Sequence, residues 1–217
     1  MITPKIPVAK EGMPFIGLAV FTTLTFAILG YTVPALALLL TTLFITWFFR
    51  DPERMGPVRE DCLLSPADGK IILIQKNGSN DLLEGESCKI SVFMNVFNVH
   101  VNRAPCNGTV DTTVYTPGLF YSADSAKGDL KNERCAVFLT TEDGQKIAFV
   151  QVAGLIARRI ICWLEPGDVV KRGQRFGLIR FGSRVDIHLP ASIRVDVQVG
   201  DTVRAGETII GSFEQQS

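Results

Sequence analysis

Between Gly12 and Phe49 the chain carries no charged side chain. Two apolar runs fill this stretch, residues 14–30 and 34–49, parted by Tyr31-Thr32-Val33. Wound as helices at 1.5 Å per residue, each is roughly 25 Å long, a little short of the ~30 Å hydrocarbon core of a bilayer. Gly30 and Pro34 supply the break, because glycine ends helices readily and proline disfavours helical backbone in the residue before it. The pattern predicts a helical hairpin, either just spanning a membrane or re-entrant. A buried hairpin of a soluble protein would show polar positions along an outer face. Here threonine is the only polar residue that recurs, and its hydroxyl can fold back onto the helix backbone. A cleaved leader ending at Ala35-Leu36-Ala37 is disfavoured by the apolar residues that continue beyond it. Lys5 and Lys10 before the hairpin, with Arg50 and Arg54 after it, assign both ends to the cytoplasmic side.

From Asp61 onward short β-type segments take over. Residues 63–64 lead into a Pro-Ala-Asp-Gly turn, and 70–75, 88–96, 109–115, 134–140, 146–152 and 193–197 read as strands. Turn signals at Asn77-Gly78, Asn107-Gly108 and Asp143-Gly144 separate them. Punctuation at this spacing argues for a compact all-β sandwich or barrel. One repeat sharpens the picture: Gly167-Asp168-Val169-Val170-Lys171-Arg172-Gly173 recurs as Gly200-Asp201-Thr202-Val203-Arg204-Ala205-Gly206. The shared skeleton, Gly-Asp-x-Val-basic-x-Gly, predicts a turn, a short strand with valine inward, and a second glycine turn. It resembles the element of lipoyl- and biotinyl-type barrel-sandwich domains, used twice, a likeness of fold that carries no chemistry. The expected architecture is mainly β. A barrel-sandwich-hybrid-like domain over residues 51–217 follows a membrane-associated helical hairpin over residues 1–50.

Charge narrows the partners. Twenty-two basic residues balance twenty-two acidic ones over 217 positions, so no global field argues for nucleic acid. Locally, residues 158–184 hold seven Arg or Lys against Glu165 and Asp168, an excess that suits an anionic lipid head group or equally a solvated face. The five cysteines form no CxxC pair and lie in apolar sequence, reading as reduced, buried thiols of a cytoplasmic environment. With only His100 and His188 available, a three-histidine zinc site is excluded, and no metal is expected.

The candidate chemistry centres on Gly182-Ser183. Glycine leaves the backbone free to distort. The serine hydroxyl can then attack the preceding carbonyl to form an ester, and elimination and hydrolysis leave a pyruvoyl group. A Gly-Ser pair alone is a weak signal, since an ordinary turn is far commoner. Its company raises it: Phe48-Phe49-Arg50-Asp51-Pro52-Glu53-Arg54, Ser65-Pro66-Ala67-Asp68-Gly69-Lys70, and Phe97-Asn98-Val99-His100-Val101-Asn102-Arg103-Ala104-Pro105. Together, over residues 48–211, these motifs resemble the phosphatidylserine decarboxylases in their short bacterial and archaeal-type form.

That resemblance implies an enzyme made as a zymogen, cut between residues 182 and 183, with a pyruvoyl cofactor derived from Ser183. It further implies decarboxylation of phosphatidylserine to phosphatidylethanolamine and CO₂ in phospholipid biosynthesis; an ether-lipid serine substrate fits as well. The partners expected are phospholipid, the membrane and the chain's own cleaved fragment as heterodimer, with higher oligomers left open. The expected location is the cell membrane, with the catalytic domain on its cytoplasmic face. The family pattern places an aspartate in the Ser-Pro-x-Asp-Gly turn, matched by Asp68, and a histidine matched by His100. Where longer relatives carry a second histidine this chain has Arg103, so a complete Asp-His-Ser triad does not carry over. His188, five residues after Ser183, is the second candidate base, ranked behind His100 on motif position and imidazole chemistry. Arg103 either contacts substrate or pairs with Asp111, and Arg158 and Arg159 either bind the lipid phosphate or merely flank a strand. A non-catalytic carrier or adaptor on a membrane anchor is the alternative. A carrier should present a lysine midway between its half-motifs, and none lies between Gly173 and Gly200. A third class is a hydrolase using Ser183, His100 and Asp68 on an external substrate.

Overall fold

The computed structural model describes residues 7–59, 61–80, 82–125, 128, 131–155, 159–180 and 182–213. The chain forms two compact units, residues 1–53 and 54–217. The first holds α1 (Met13–Ile28) and α2 (Thr32–Phe48), breaking at Gly30 as the apolar pattern predicts. Thr22, Thr23, Thr25, Thr41, Thr42 and Thr46 each donate their hydroxyl to the carbonyl four residues back, which hides that polarity within the helix. The Thr23 and Thr42 hydroxyls stand 3.0 Å apart between the helices, so either can donate to the other in place of its own backbone carbonyl. The ends of the hairpin are clasped: the Ala9 amide donates to Phe49 O at 2.8 Å, and the Asp51 amide to Pro7 O at 2.8 Å. Val8 and Arg50 bridge antiparallel between them.

The second unit is built of strands. In chain order they are β1 (Cys62–Leu64), β2 (Gly69–Asn80), β3 (Leu83–Met94), β4 (Val101–Arg103), β5 (Gly108–Thr116), β6 (Arg134–Thr140) and β7 (Lys146–Val152). Then follow β8 (Ile160–Cys162), β9 (Val169–Val170), β10 (Arg175–Ile179), β11 (Ser183–Pro190), β12 (Arg194–Val195), β13 (Thr202–Val203) and β14 (Ile209–Ser212). An eight-stranded sheet of order β13-β2-β3-β11-β7-β6-β5-β9 curls as a half-barrel. Two three-stranded sheets, β1-β14-β12 and β4-β10-β8, accompany it. Leu63, Ile71, Ile90, Val92, Leu139, Phe149, Phe176, Val185 and Ile187, none more than 1% exposed, pack in one core that draws on all three sheets. Phe149 of β7 meets Phe176 of β10 edge to face at 4.7 Å between ring centres.

The mainly β architecture with its helical hairpin follows the sequence pattern. β6 and β7 occupy the residues their alternation indicates. At Asn77-Gly78 the outcome differs, because the pair lies inside β2, which runs on with register shifts until Asn80 faces Leu83. A bulge absorbs the extra residue there, so a turn-forming pair need not end a strand. The segment 193–197 contracts to the two residues of β12, Arg194 and Val195 pairing with Ser212 and Gly211 of β14, with one further bond from the Asp196 amide to Ile210 O.

The repeat has a structural counterpart. The Gly167 amide donates to Val110 O, and the Val110 amide returns to Asp168 O. In the second copy the Gly200 amide donates to Ile71 O, and the Ile71 amide returns to Asp201 O. Thr109 faces Val169 just as Lys70 faces Thr202. Ser65-Pro66-Ala67-Asp68-Gly69 and Ala104-Pro105-Cys106-Asn107-Gly108 are thus equivalent turns, each braced by one copy of the repeat. They also brace each other: the Leu64 amide donates to Pro105 O, and the Arg103 amide to Pro66 O.

Candidate active site

The Gly182-Ser183 linkage lies where β10 gives way to β11. Gly182 has φ +59°, in the left-handed region that glycine enters freely. Ser183 is fully buried and opens the central strand of the large sheet, facing Met94 of β3. Strand alternation sends Ser183 to the same side as Val185, Ile187 and Leu189, which belong to the core. Among the described residues its hydroxyl has no hydrogen-bond partner, a condition that costs about 1–3 kcal/mol. Over the preceding carbonyl sits Gly154, where a Cβ would stand 1.7 Å from Gly182 O and 2.8 Å from its carbon. Only a residue without a side chain fits. Asn132 fixes this approach by donating its amide to Ala153 O at 2.7 Å, while the Ala153 amide donates to Glu133 O at 2.9 Å. A buried serine hydroxyl, a glycine in left-handed backbone and a bare backbone beside the carbonyl are an arrangement in which a pyruvoyl group could form at position 183.

His100 is buried just before β4, and its carbonyl accepts the Ile179 amide at 3.3 Å, continuing the β4–β10 ladder toward the Gly-Ser linkage. Two residues on, Asn102 donates to Met94 Sδ at 3.6 Å and accepts the Gln151 amide at 2.9 Å. Met94 therefore joins the two candidates: its backbone faces Ser183, and its side chain takes Asn102 from the face on which alternation places His100. His188 is placed otherwise. An odd separation along one strand turns it to the face opposite Ser183, where Arg184 and Asp186 are also buried. There Lys89, its cross-strand neighbour, pairs with Asp186 at 3.3 Å, and Arg184 donates to Asp186 at 2.9 Å and to Ala123 O at 2.7 Å.

Asp68 is held in a clamp. Arg54 reaches both carboxylate oxygens, at 2.6 and 2.8 Å, and also Ala205 O at 2.9 Å. The Ala205 amide donates to Asp68 at 2.8 Å. In the equivalent turn Asn107 accepts the Arg172 amide at 2.8 Å, so the amide contact belongs to both turns and the guanidinium to one. Gly69 presses on β3, where a Cβ would come within 2.0 Å of Phe93 O. Asp68 thus lies about two strand spacings, ~10 Å, from Ser183 across β3.

Arg103 is 5% exposed, donates to Gly173 O at 3.0 Å and lies against Gly206, so it packs between the second glycines of the two repeats. Asp111, its alternative partner, instead accepts the Thr140 hydroxyl at 2.7 Å. Arg159 is exposed, and its carbonyl accepts the Arg180 amide at 3.5 Å. Arg158 lies outside the described residues. Sequence reasoning missed Gly154, Asn132 and the Met94–Asn102–Gln151 layer; nothing local marks them, because their roles arise from strands distant in sequence. Arg54 ends the motif Phe48–Arg54, where its charge bears on membrane orientation and nothing in the spacing points to Asp68.

Fold and site together define a mainly β protein with an apolar helical hairpin and a buried serine that follows a left-handed glycine. Residues 41–211 match the family described as phosphatidylserine decarboxylase. A phosphatidylserine decarboxylase proenzyme of Desulfotalea psychrophila is 60% identical over 213 residues, covering 98% of this chain and 100% of the relative. Proenzymes of the same description from Syntrophus aciditrophicus and Geotalea uraniireducens are 48% and 47% identical, covering 95% and 94% of this chain and 97% and 96% of theirs. The chain belongs to the phosphatidylserine decarboxylase family.

Proposed function

We propose that this chain cuts itself between Gly182 and Ser183 and then decarboxylates phosphatidylserine to phosphatidylethanolamine and CO₂ in phospholipid biosynthesis. The observation that carries the reading is the bare backbone of Gly154 over the carbonyl that Ser183 must attack. His100 takes the hydroxyl proton as Ser183 Oγ bonds to the Gly182 carbonyl carbon, and the amide C–N bond breaks with that proton passing to nitrogen. Removal of the Ser183 α-proton then expels the Gly182 carboxylate, and water replaces the nitrogen as ammonia to leave a ketone. Asp68 acts as a positioning residue: clamped by Arg54, it fixes the turn that backs β3 against Ser183. The pyruvoyl ketone supplies the electron sink that a serine head group needs in order to lose CO₂. Arg103, Arg158 and Arg159 are the residues proposed to meet the anionic substrate, with Arg103 the most deeply enclosed of those described.

The hairpin tethers the catalytic unit to the cell membrane on its cytoplasmic face, so the acyl chains need not leave the bilayer. Extraction costs about 0.8 kcal/mol per CH₂. Both products of the cut remain together as a heterodimer, because β11 is hydrogen-bonded on both sides, to β3 and to β7.

Intact-mass analysis tests the reading. The wild type should give a large fragment ending at Gly182 and a 35-residue fragment whose first residue is a ketone. Ser183→Ala should give one uncut chain and release no CO₂ from phosphatidylserine; two fragments from that variant would exclude the mechanism.

A further inference from the structure

The hairpin is apolar along its length and at its far end. Leu18, Phe21, Ile28, Leu29, Val33 and Leu40 are each 63–84% exposed. A helix pair with such a surface calls for apolar surroundings, which the hydrocarbon of a bilayer supplies. Its length and its tip bear on how that hydrocarbon is met.

α1 and α2 contain 16 and 17 residues, and the turn Lys10–Gly12 extends the first arm to 19, long and apolar enough to cross. Since the extension carries Lys10 and Glu11, the charge-free part of each arm still rises only roughly 24–26 Å against a core of about 30 Å. A hairpin that delivered its turn to water on the far side would gain by carrying charge there. From Leu29 to Val33 there is none. Four of its five amides are instead paired within the tip itself, Val33 being the exception. The Leu29 amide donates to Thr25 O at 3.1 Å, Gly30 to Ala27 O at 3.1 Å, Tyr31 to Phe26 O at 3.0 Å and Thr32 to Gly30 O at 3.0 Å. Pro34 carries no N–H at all. In water such internal pairing is optional, whereas in hydrocarbon every unpaired amide costs several kcal/mol. Tyr31 leans on Phe26, with ring centres 5.9 Å apart.

The base has the opposite character. Lys10, Glu11, Arg50 and Asp51 gather there, and the Arg50 guanidinium lies 4.0 Å above the Trp47 ring. Tryptophan with arginine at a helix end is the composition of a membrane–water boundary. The clasp at residues 7–9 and 49–51 holds both ends at that level.

We infer that the hairpin is re-entrant: it enters and leaves through one face, and its tip at Gly30–Tyr31 ends in hydrocarbon without reaching water on the far side. This rests on the membrane attachment proposed above and goes further, since a spanning hairpin would serve attachment equally well. It also means that the far leaflet contributes little to anchoring.

The test uses the full chain reconstituted in vesicles of phosphatidylethanolamine and phosphatidylglycerol, with a Cys162→Ser background to remove the half-buried native thiol. Tyr31→Cys is probed by a membrane-impermeant maleimide supplied outside or enclosed within the vesicles, and Glu11→Cys serves as the base reference. The expected result is labelling of position 11 from one side only, and no labelling of position 31 from either side until detergent is added. Labelling of position 31 from the side opposite position 11 overturns the inference and leaves membrane attachment intact. Labelling of position 31 from the same side as position 11, with the protein still sedimenting with vesicles, overturns it too. Protein that remains in the supernatant overturns attachment itself.

Discussion

Ser183 and His188 occupy one strand and point to opposite faces of the sheet, Ser183 into the core and His188 into a layer shared with Arg184 and Asp186. The two candidate bases are therefore not equivalent. His188→Ala is expected to process at a rate near that of the wild type. His100→Ala should slow cleavage at least a hundredfold, the ordinary contribution of a positioned general base. Timed gel analysis of freshly refolded chains measures both. Normal cleavage in His100→Ala would remove it from the mechanism.

Gly154 lies closer to the Gly182 carbonyl than any side chain could tolerate. Gly154→Ala must push that carbonyl away by more than an ångström, and misplacement on this scale costs roughly a hundredfold in rate. The variant is expected to accumulate as uncut chain with native circular dichroism. Full processing at the wild-type rate would show that the close approach is irrelevant to cleavage.

The Arg54–Asp68 pair is nearly enclosed, with side chains 7% and 11% exposed. Arg54→Met leaves a buried carboxylate without its cation and should cost about 3–5 kcal/mol. Adding Asp68→Asn should restore most of that loss, because Asn107 makes the equivalent amide contact without a cation. Thermal melts of the single and double variants decide the matter. A double variant as unstable as Arg54→Met would refute the clamp.

Cysteine chemistry offers a pH-dependent check. A hydrogen bond from Cys135 lowers the Cys162 thiol below the ordinary cysteine range, aided by the Leu164 backbone and opposed by burial. The same bond, together with burial, raises Cys135, and burial pushes Cys106 up to about 12. Thiolate is the reactive form, so Cys162 should alkylate first and begin to do so at a lower pH than a free cysteine. Peptide mapping after brief iodoacetamide treatment reads this out. Preferential labelling of Cys106 or Cys135 in the folded protein would contradict it.

Much of this was legible in the residues. The charge-free stretch from Gly12 to Phe49 foretold the hairpin because helix formation and membrane partition both depend on local composition. The repeated Gly-Asp-x-Val-basic-x-Gly foretold two equivalent turns because glycine and aspartate act within a few residues of themselves. Parity along β11 was available too: an odd separation between positions 183 and 188 in a strand already implied opposite faces. Strand order was not legible. β11 lies between β3 and β7, so the surroundings of Ser183 come from Met94 and Gly154, which no period or spacing links to it. The Arg54–Asp68 clamp was hidden likewise, since a separation of 14 residues, irregular apart from the three of β1, carries no register.

The internal position of β11 gives the cut a direction in time. Before it, losing and regaining the fold is a unimolecular matter. After the proposed cut, β11 to β14 would belong to a separate molecule, so renaturation would become second order and dependent on dilution. A nicked enzyme that once lets go of its short piece has little prospect of recovering it at cellular concentrations. On the proposed cut, its working life would depend on how slowly the piece carrying β11 to β14 is released.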